Sequence, residues 1–437
     1  MKIRMFKSIV LILATLEVNG QQPDTTRLEK FSFHAQTTVI NQFKPAFKAN
    51  YTGQNSLVPN QESKLSVTST LFLGAKLWQG ASMYINPEIG GGSGLSGSLG
   101  VAASTNGETY RIGNPTPQFE LARIFFRQIF SLSGESEYQE GDFNKLGGKI
   151  PTRYISFIIG KICVSDYFDN NIYNHDPRTQ FMSWALMSNG AWDFPANTRG
   201  YTPSIILEYV TPGRELRYGF SLVPREANGM AMNWQISKAG SQTLEYTRHY
   251  NLAGKNGTFR ILSFFTTTDM GNYNQSIILN PSAPDVIATR KYGRTKYGFG
   301  INAEQSISES LGAFFRAGWN DGNNETWAFS EIDRSLSFGI SSNGRKWNRQ
   351  NDILGIAYVI SGISGPHRNY LKAGGNGFML GDGNLNYSLE NLAEIYYTFE
   401  LSKSIYLSGA CQVIMNPGYN KDRGPVNVFS IRIHTII

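Results

Sequence analysis

Apolar and polar residues alternate along many short segments of the chain, and the last segment shows this most clearly. In NVFSIRIHTII, apolar side chains take one face and polar side chains the other: Phe429, Ile431, Ile433 and Ile437 against Ser430, Arg432 and His434. Successive side chains of a β-strand point to opposite faces of the sheet. The pattern therefore predicts a strand that separates an apolar environment from a charged one.

The same split recurs in ELRYGFSLV, LGAFFRAGW and LAEIYYTFEL. Their polar faces carry Arg217, Arg316 and Glu394, although Phe314 interrupts the polar side of the second segment. Helical periodicity is nearly absent outside the N-terminal segment and the stretch at 181–201, which indicates an all-β protein. Several strands thus place charge where a soluble sandwich would place its core.

Two architectures produce such strands: a soluble antiparallel sheet with one face in water, and a transmembrane barrel with an apolar outside and a wet lumen. Connection lengths favour the barrel, because long connections mostly alternate with short turns, as in outer-membrane barrels. The long connections lie near residues 44–64, 89–117, 163–202, 225–240, 272–294 and 364–391. Two others, near 132–152 and 341–350, are longer than a short rim would require.

The alternation predicts about sixteen strands, an even number as expected for an antiparallel barrel. They are assigned to 31–43, 65–77, 80–88, 118–131, 153–162, 203–212, 214–224, 241–251, 256–271, 295–307, 309–320, 326–341, 351–363, 392–402, 403–416 and 425–437.

The N-terminus indicates export. Lys2, Arg4 and Lys7 precede an apolar core that is too short to span a bilayer, and small residues follow before Gln21. This is the pattern of a cleavable secretory signal peptide. The chain is predicted to consist of a signal peptide at 1–20 and one barrel domain at 21–437.

Composition and motifs argue against several functional classes. The formal net charge is +7, but the basic residues are dispersed, which excludes a nucleic-acid groove. The five histidines lack metal-ligand spacing, and the glycine-rich run at 92–97 is not followed by a helix and an acidic residue. No nucleophile elbow is present. The sequence therefore predicts no metal, no cofactor and no enzymatic activity.

The cysteines are predicted to be unpaired. By strand parity, Cys163 and Cys411 both point towards lipid, and they fall on strands too far apart for a disulfide.

Several long segments resemble the carbohydrate-selective outer-membrane porin family, the OprB type. They include DYFDNNIYNHDPRTQFMSWALMSNGAWDFPANTRGYTPS at 166–204, ETYRIGNPTPQFELARIFFRQ at 108–128, and MNPGYN with the final FSIRIH. The resemblance covers essentially the whole mature chain. It implies a sixteen-stranded barrel in the bacterial outer membrane that admits sugars such as glucose by passive diffusion. Sugars, outer-membrane lipids and the barrel-assembly machinery are the expected partners, either for a monomer or for a homotrimer.

The connection at 163–202 is predicted to fold inward and narrow the channel. Sugars need hydrogen-bonding partners for their hydroxyls and aromatic rings for their C–H faces. The candidates in this connection are Asp169, Asn170, Asn171, Arg178, Trp184, Trp192, Asp193 and Arg199. Parity places Arg123 and Arg127 on the lumen wall beside them, and further wall candidates are Arg217, Arg316, Glu394, Arg432 and His434.

Other interpretations of the sequence stay open. Trp184 and Trp192 could pack the loop against the wall, and Trp319 and Trp327 are expected to anchor the membrane interface. The arginines could favour anions or a general small-solute pore. A secreted all-β sugar-binding protein or hydrolase, and a closed structural barrel, would share much of the same pattern.

Overall fold

The fold was analysed in a computed structural model, which describes residues 29–109 and 116–437. The predicted signal peptide at 1–20 lies outside the described residues. No helix in the described ranges is long and apolar enough to cross a membrane.

Strands account for most of the described chain. They are β1 (Phe31–Lys44), β2 (Glu62–Trp78), β3 (Ala81–Gly92), β4 (Gln118–Ser131), β5 (Ser136–Gln139), β6 (Gly148–Pro151), β7 (Tyr154–Ile162), β8 (Thr202–Thr211), β9 (Arg214–Ser221), β10 (Gly240–Leu252), β11 (Lys255–Thr268), β12 (Arg294–Ser306), β13 (Leu311–Asn320), β14 (Arg334–Gly344), β15 (Arg349–Gly362), β16 (Glu390–Ser402), β17 (Ile405–Met415) and β18 (Val426–Ile436). Three short helices lie in the long connections: α1 (Trp184–Met187), α2 (Tyr273–Leu279) and α3 (Gly365–Lys372).

Sixteen of these strands form one closed antiparallel barrel, while β5 and β6 pair only with each other within the described ranges. The barrel closes where β1 pairs with β18, from Gln36 opposite Ile436 to Phe43 opposite Phe429. The predicted all-β barrel with about sixteen strands is therefore confirmed. Closure leaves no open sheet edge, as a lipid environment requires.

Long and short connections lie on opposite rims, as the sequence predicted. Most short-rim connections are tight turns such as Pro212-Gly213 and Ala253-Gly254. Their second residues have φ of +78°, a backbone region that favours glycine. The connection between β4 and β7 is different, because it contains the β5–β6 hairpin, which the sequence analysis did not predict.

The alternation of side chains agrees with the predicted faces. On β18, Ile431 is 60% exposed on the outside, whereas Arg432 is 0% exposed on the inside. Phe314 is the exception on β13, and it points inward because it packs edge-on against Phe181 of the 163–201 connection, with ring centroids 5.7 Å apart.

The predicted start of one strand was wrong by eight residues. The predicted strand at 326–341 begins only at Arg334, and residues 326–333 fold into the barrel. Trp327 is 1% exposed there and donates its indole N–H to the Pro224 carbonyl at 2.8 Å. It does not anchor the membrane interface. Trp319 lies on the outer surface and stacks on Phe299 at 5.5 Å.

Candidate functional site

The connection between β7 and β8, residues 163–201, occupies the lumen. Phe168, Phe181 and Leu186 are fully buried in it. Glu394 of β16 accepts hydrogen bonds from the Met182 and Ser183 N–H groups at 2.6 and 3.1 Å, just before α1. The wall carboxylate thus binds backbone N–H groups that precede the helix and have no strand partner.

A second connection, between β3 and β4, lies against the first. Glu390 of β16 accepts from the Ala102 and Ala103 N–H groups at 2.9 and 2.8 Å. The Ala103 carbonyl in turn accepts from Ala185 of α1 at 3.3 Å. Residues 93–109 of this second connection therefore share the lumen with the 163–201 loop.

Two of the predicted wall arginines hold the 163–201 loop instead of facing an open lumen. Arg316 donates to the carbonyls of Leu186, Asp169 and Asn174 at 2.8 to 2.9 Å. Arg432 donates to those of Pro177 and Gln180, both at 2.7 Å. With Glu394, these side chains meet loop backbone because the loop packs directly on their part of the wall.

Three loop residues that were predicted to contact sugar bond to wall residues instead. Asp169 is 2% exposed and accepts from Arg316 at 3.1 Å and from the Asn302 amide at 2.8 Å. Asn171 is fully buried and also bonds Asn302 at 2.8 Å. Asn170 has an exposed side chain, and its carbonyl accepts from Asn302 at 3.1 Å. Parity could not reveal these contacts, because they depend on which wall residues the loop reaches.

Asp193 and Trp192 are also internal. The Asp193 carboxylate accepts from the N–H groups of Trp327, Ala328 and Phe329 at 2.7 to 3.0 Å, which fixes residues 326–333 inside the barrel. Trp192 is 1% exposed and packs between Phe168 and Phe194. Trp192 therefore packs inside the barrel, as the alternative interpretation of its role predicted.

A cavity of about 520 Å³ runs beside the loop, along the inner face of β1 to β4. It extends from Thr198, Asn228 and Ala328 among the long connections to Phe143 and Lys145 in the short-rim hairpin. The predicted residues Arg123, Arg127, Arg178, Trp184 and Arg199 all line it. Arg217 and His434 are wall residues that do not line this cavity.

Each of these arginines is paired with a carboxylate. Arg178 contacts Glu108 at 2.9 Å and Glu88 at 3.6 Å. The other pairs are Arg123 with Asp166 through two hydrogen bonds of 2.6 and 2.8 Å, Arg127 with Glu208 at 3.2 Å, and Arg199 with Glu120 at 2.9 Å. The cavity therefore carries ion pairs along its wall, and the positive charge of the arginines is compensated.

Two arginine donors in this set have no protein acceptor among the described residues: Nη1 of Arg123 and Nε of Arg127. Both atoms are buried. A buried donor without an acceptor is unfavourable by about 1–3 kcal/mol, so these two atoms are a local cost of the arrangement.

Aromatic rings complete the lining. Trp184 stacks on Phe329 with centroids 5.3 Å apart, and its indole N–H donates to the Asn106 carbonyl at 3.1 Å. The Tyr201 ring lies 5.1 Å from the Arg123 guanidinium, and its hydroxyl donates to Glu88 at 3.0 Å. The cavity thus offers both charged hydrogen-bonding groups and ring faces.

Sequence reasoning missed several of these residues. Glu88, Glu108, Asp166 and Tyr201 were not among the predicted site residues. The position of Glu108 at the start of the resembling segment 108–128 was the one signal that could have indicated it.

The prediction that Cys163 points towards lipid was wrong. β7 ends at Ile162, and a single turn of 3₁₀ helix at Val164–Asp166 follows, so strand parity no longer applies at Cys163. Its thiol lines the cavity, 3.1 Å from the Ser165 hydroxyl, instead of facing lipid. Cys411 lies on the outer face of β17, and both thiols are free. The described ranges contain no cluster of His, Cys, Asp or Glu that could hold a metal ion.

Residues 54–436 match the family model described as carbohydrate-selective porin, OprB family. The chain belongs to this family. It is accordingly an outer-membrane porin that passes carbohydrates by passive, selective diffusion.

Solved structures agree with the OprB-family fold. The high-pH structure of Pseudomonas putida OprB superposes with a TM-score of 0.71 at 15% identity, covering 93% of this chain and 94% of that chain. The outer-membrane channel DcaP of Acinetobacter baumannii gives a TM-score of 0.51 at 11% identity, covering 96% and 99%. At these identities the likeness concerns the fold alone. No curated protein sequence matches the chain significantly.

Proposed function

We propose that sugars cross this porin through the cavity between the 163–201 loop and the inner face of β1 to β4, and that Arg123, Arg127 and Arg178 bind their hydroxyls there. The observation that carries this proposal is the lining of the cavity, which brings Arg123, Arg127 and Arg178 together with the rings of Trp184 and Tyr201. A planar guanidinium presents several donors in fixed directions, so one edge can bind a carboxylate while another binds a solute.

Size and aromatic lining favour small sugars. The volume of about 520 Å³ lies within the range of roughly 300–1,000 Å³ that is usual for small-molecule sites. Trp184, Phe329 and Tyr201 supply ring surface against which the C–H faces of a sugar can pack. Monosaccharides such as glucose are the proposed solutes.

Charge compensation favours neutral sugars over anions. Each lining arginine of the predicted set has a carboxylate partner within 3.2 Å. The local field on a passing anion is therefore weaker than the number of arginines alone suggests.

The proposal also covers the lipid around the barrel and the passive nature of transport. Outer-membrane lipids contact the outward side chains, and transport requires no chemical step, so the chain acts as a channel without catalysis. Weak binding in the cavity speeds entry at low sugar concentration while it still permits exit.

The test is single-channel current in a planar bilayer, titrated with glucose, a disaccharide and a simple anion. Glucose should block the current, and Arg178→Ala should weaken that block about tenfold or more, because a hydrogen bond to a charged group is lost. Arg345→Ala removes an exposed arginine from the short-rim turn between β14 and β15, which does not line the cavity, and should leave the block unchanged. Current that glucose does not affect in the unaltered protein contradicts the proposal.

A further inference from the structure

The β5–β6 hairpin departs from the pattern of its rim. The six other short-rim connections in the described chain are turns of two to four residues, such as 253–254 and 345–348. The connection at 132–153 instead forms a hairpin with Ser136 opposite Pro151 and Gln139 opposite Gly148. Its tip is a tight turn in which Asp142 and Lys145 exchange backbone hydrogen bonds of 3.0 and 3.1 Å.

This tip is held against the inner wall of the barrel. Phe143 stacks on Phe72 of β2 with centroids 4.3 Å apart and rings 12° from parallel, and it meets His34 of β1 edge-on at 5.8 Å. Phe72 is 4% exposed, so the contact lies inside the barrel. The Oδ1 atom of the Asn144 side chain accepts from the side-chain amide of Asn86 on β3, which is fully buried, at 2.8 Å.

Gly147, between the tip and β6, is attached as well. The Glu29 carboxylate accepts from the Gly147 N–H at 2.7 Å, and the Gly147 carbonyl accepts from the Glu29 N–H at 3.0 Å. The segment immediately before β1 and the hairpin therefore hold each other. Contacts with β1, β2, β3 and Glu29 thus fix the position of the tip in the lumen.

The tip shares a cavity with the paired arginines. Asp142, Phe143, Asn144 and Lys145 line the same space as Arg123 and Arg127, at the end opposite to the long connections. In an outer-membrane barrel, short turns face the periplasm. A solute that passes the arginines on its way in must then pass this tip.

We propose that residues 142–145 form a second constriction, at the periplasmic exit of the sugar path, which sets the size and the charge of solutes that leave the lumen. This rests on the proposed sugar path through the cavity. Phe143 supplies the apolar surface and the steric limit, Asn144 supplies amide groups for a hydroxyl, and Lys145 supplies a positive charge at the exit.

The hairpin offers a matched residue for each proposed role. Lys149 and Tyr138 are exposed on the same hairpin and do not line the cavity, whereas Lys145 and Phe143 do. The variants are Lys145→Ala against Lys149→Ala, and Phe143→Ala against Tyr138→Ala. A fifth variant replaces residues 136–151 with a short Gly-Ser turn.

Three readouts apply to every variant: single-channel conductance, reversal potential in a KCl gradient, and disaccharide entry by liposome swelling. Replacement of the hairpin should raise the conductance about twofold or more and admit disaccharides, because the narrowest exit point is removed. Phe143→Ala should do the same to a smaller extent. Lys145→Ala should shift the reversal potential towards cations, and Lys149→Ala and Tyr138→Ala should match the unaltered protein.

Unchanged conductance, reversal potential and disaccharide exclusion in the hairpin-replaced protein would overturn the second constriction. The proposed sugar path is tested separately, since glucose block at the arginines does not depend on the hairpin. A protein that conducts KCl without glucose block would contradict the sugar path, while its KCl readouts would still decide the role of the tip.

Discussion

At the scale of single residues, arginines with the same strand parity perform two different tasks. Arg316 is 1% exposed and its donors bind loop carbonyls and Asp169, so it attaches the loop. Arg123 is 8% exposed, binds Asp166 along one edge, and leaves Nη1 without a protein acceptor among the described residues. Both arginines contact the 163–201 loop, and what separates them is that Arg123 also lines the cavity whereas Arg316 does not.

Glu108 makes the charge of the cavity dependent on pH. Burial raises the pKa of Glu108, and nearby Arg178 only partly opposes this shift. The pKa of Asp176, by contrast, is lowered, because Arg178 and a backbone hydrogen bond outweigh burial. As the pH falls from 7, Glu108 therefore becomes neutral before Asp176 does, and Arg178 loses part of its compensation.

The reversal potential in a KCl gradient should accordingly move towards anion selectivity as the pH is lowered. In Glu108→Gln the charge is absent at every pH, so the channel should already be more anion-selective at pH 7 and lack this step. A Glu108→Gln channel with the same pH profile as the unaltered protein would show that another group titrates.

At the scale of elements, the 163–201 loop depends on a few wall residues for its position. Arg316→Met removes the donors to Leu186, Asp169 and Asn174 and leaves the buried Asp169 carboxylate with fewer partners. Loss of one partner of a buried ion pair typically destabilises a protein by about 3–5 kcal/mol. We expect a lower urea midpoint in lipid vesicles together with a larger and noisier single-channel conductance, since the loop is released from the wall.

Arg260→Met is the matched control for that variant. Arg260 is also a buried wall arginine, but it meets the loop indirectly, through Glu304, which it contacts at 3.2 Å and which accepts from the Ile172 N–H at 2.8 Å. Its loss should lower the urea midpoint without an increase in conductance. Equal conductance in the two variants would argue against a positioning role of Arg316.

The sequence predicted the strands well and the loop contacts poorly, for one physical reason. Strand parity is a local property, so it placed Arg432 and Ile431 on opposite faces without knowledge of the fold. The run at 326–333 looked like a strand, yet Asp193, far away in sequence, binds three of its N–H groups and folds it inward. Phe314 likewise looked misplaced until Phe181 supplied its partner.

At the scale of the whole molecule, closure of the barrel turns the alternation into two separate surfaces. Outward residues such as Phe429, Ile431 and Ile433 are 47%, 60% and 47% exposed, and no protein layer covers them in the described chain. Inward residues of the same strand, Arg432 and His434, are 0% and 2% exposed. Such an outside requires lipid, because water would be in contact with a continuous apolar belt.

Charge on this belt should therefore be unfavourable in proportion to its depth in the bilayer. Ile431 lies midway along β18, opposite Asn41 of β1 and Gly409 of β17, so Ile431→Arg places a cation near the midplane. We expect it to lower the free energy of unfolding in lipid vesicles by about 2–4 kcal/mol. Leu252→Arg lies beside the tight turn at 253–254, at the rim, and should lower it by no more than about 1 kcal/mol, since the charge can reach the interface there. The measurement is urea unfolding followed by tryptophan fluorescence, and equal losses in the two variants would contradict the assignment of β18 to the lipid-facing wall at this depth.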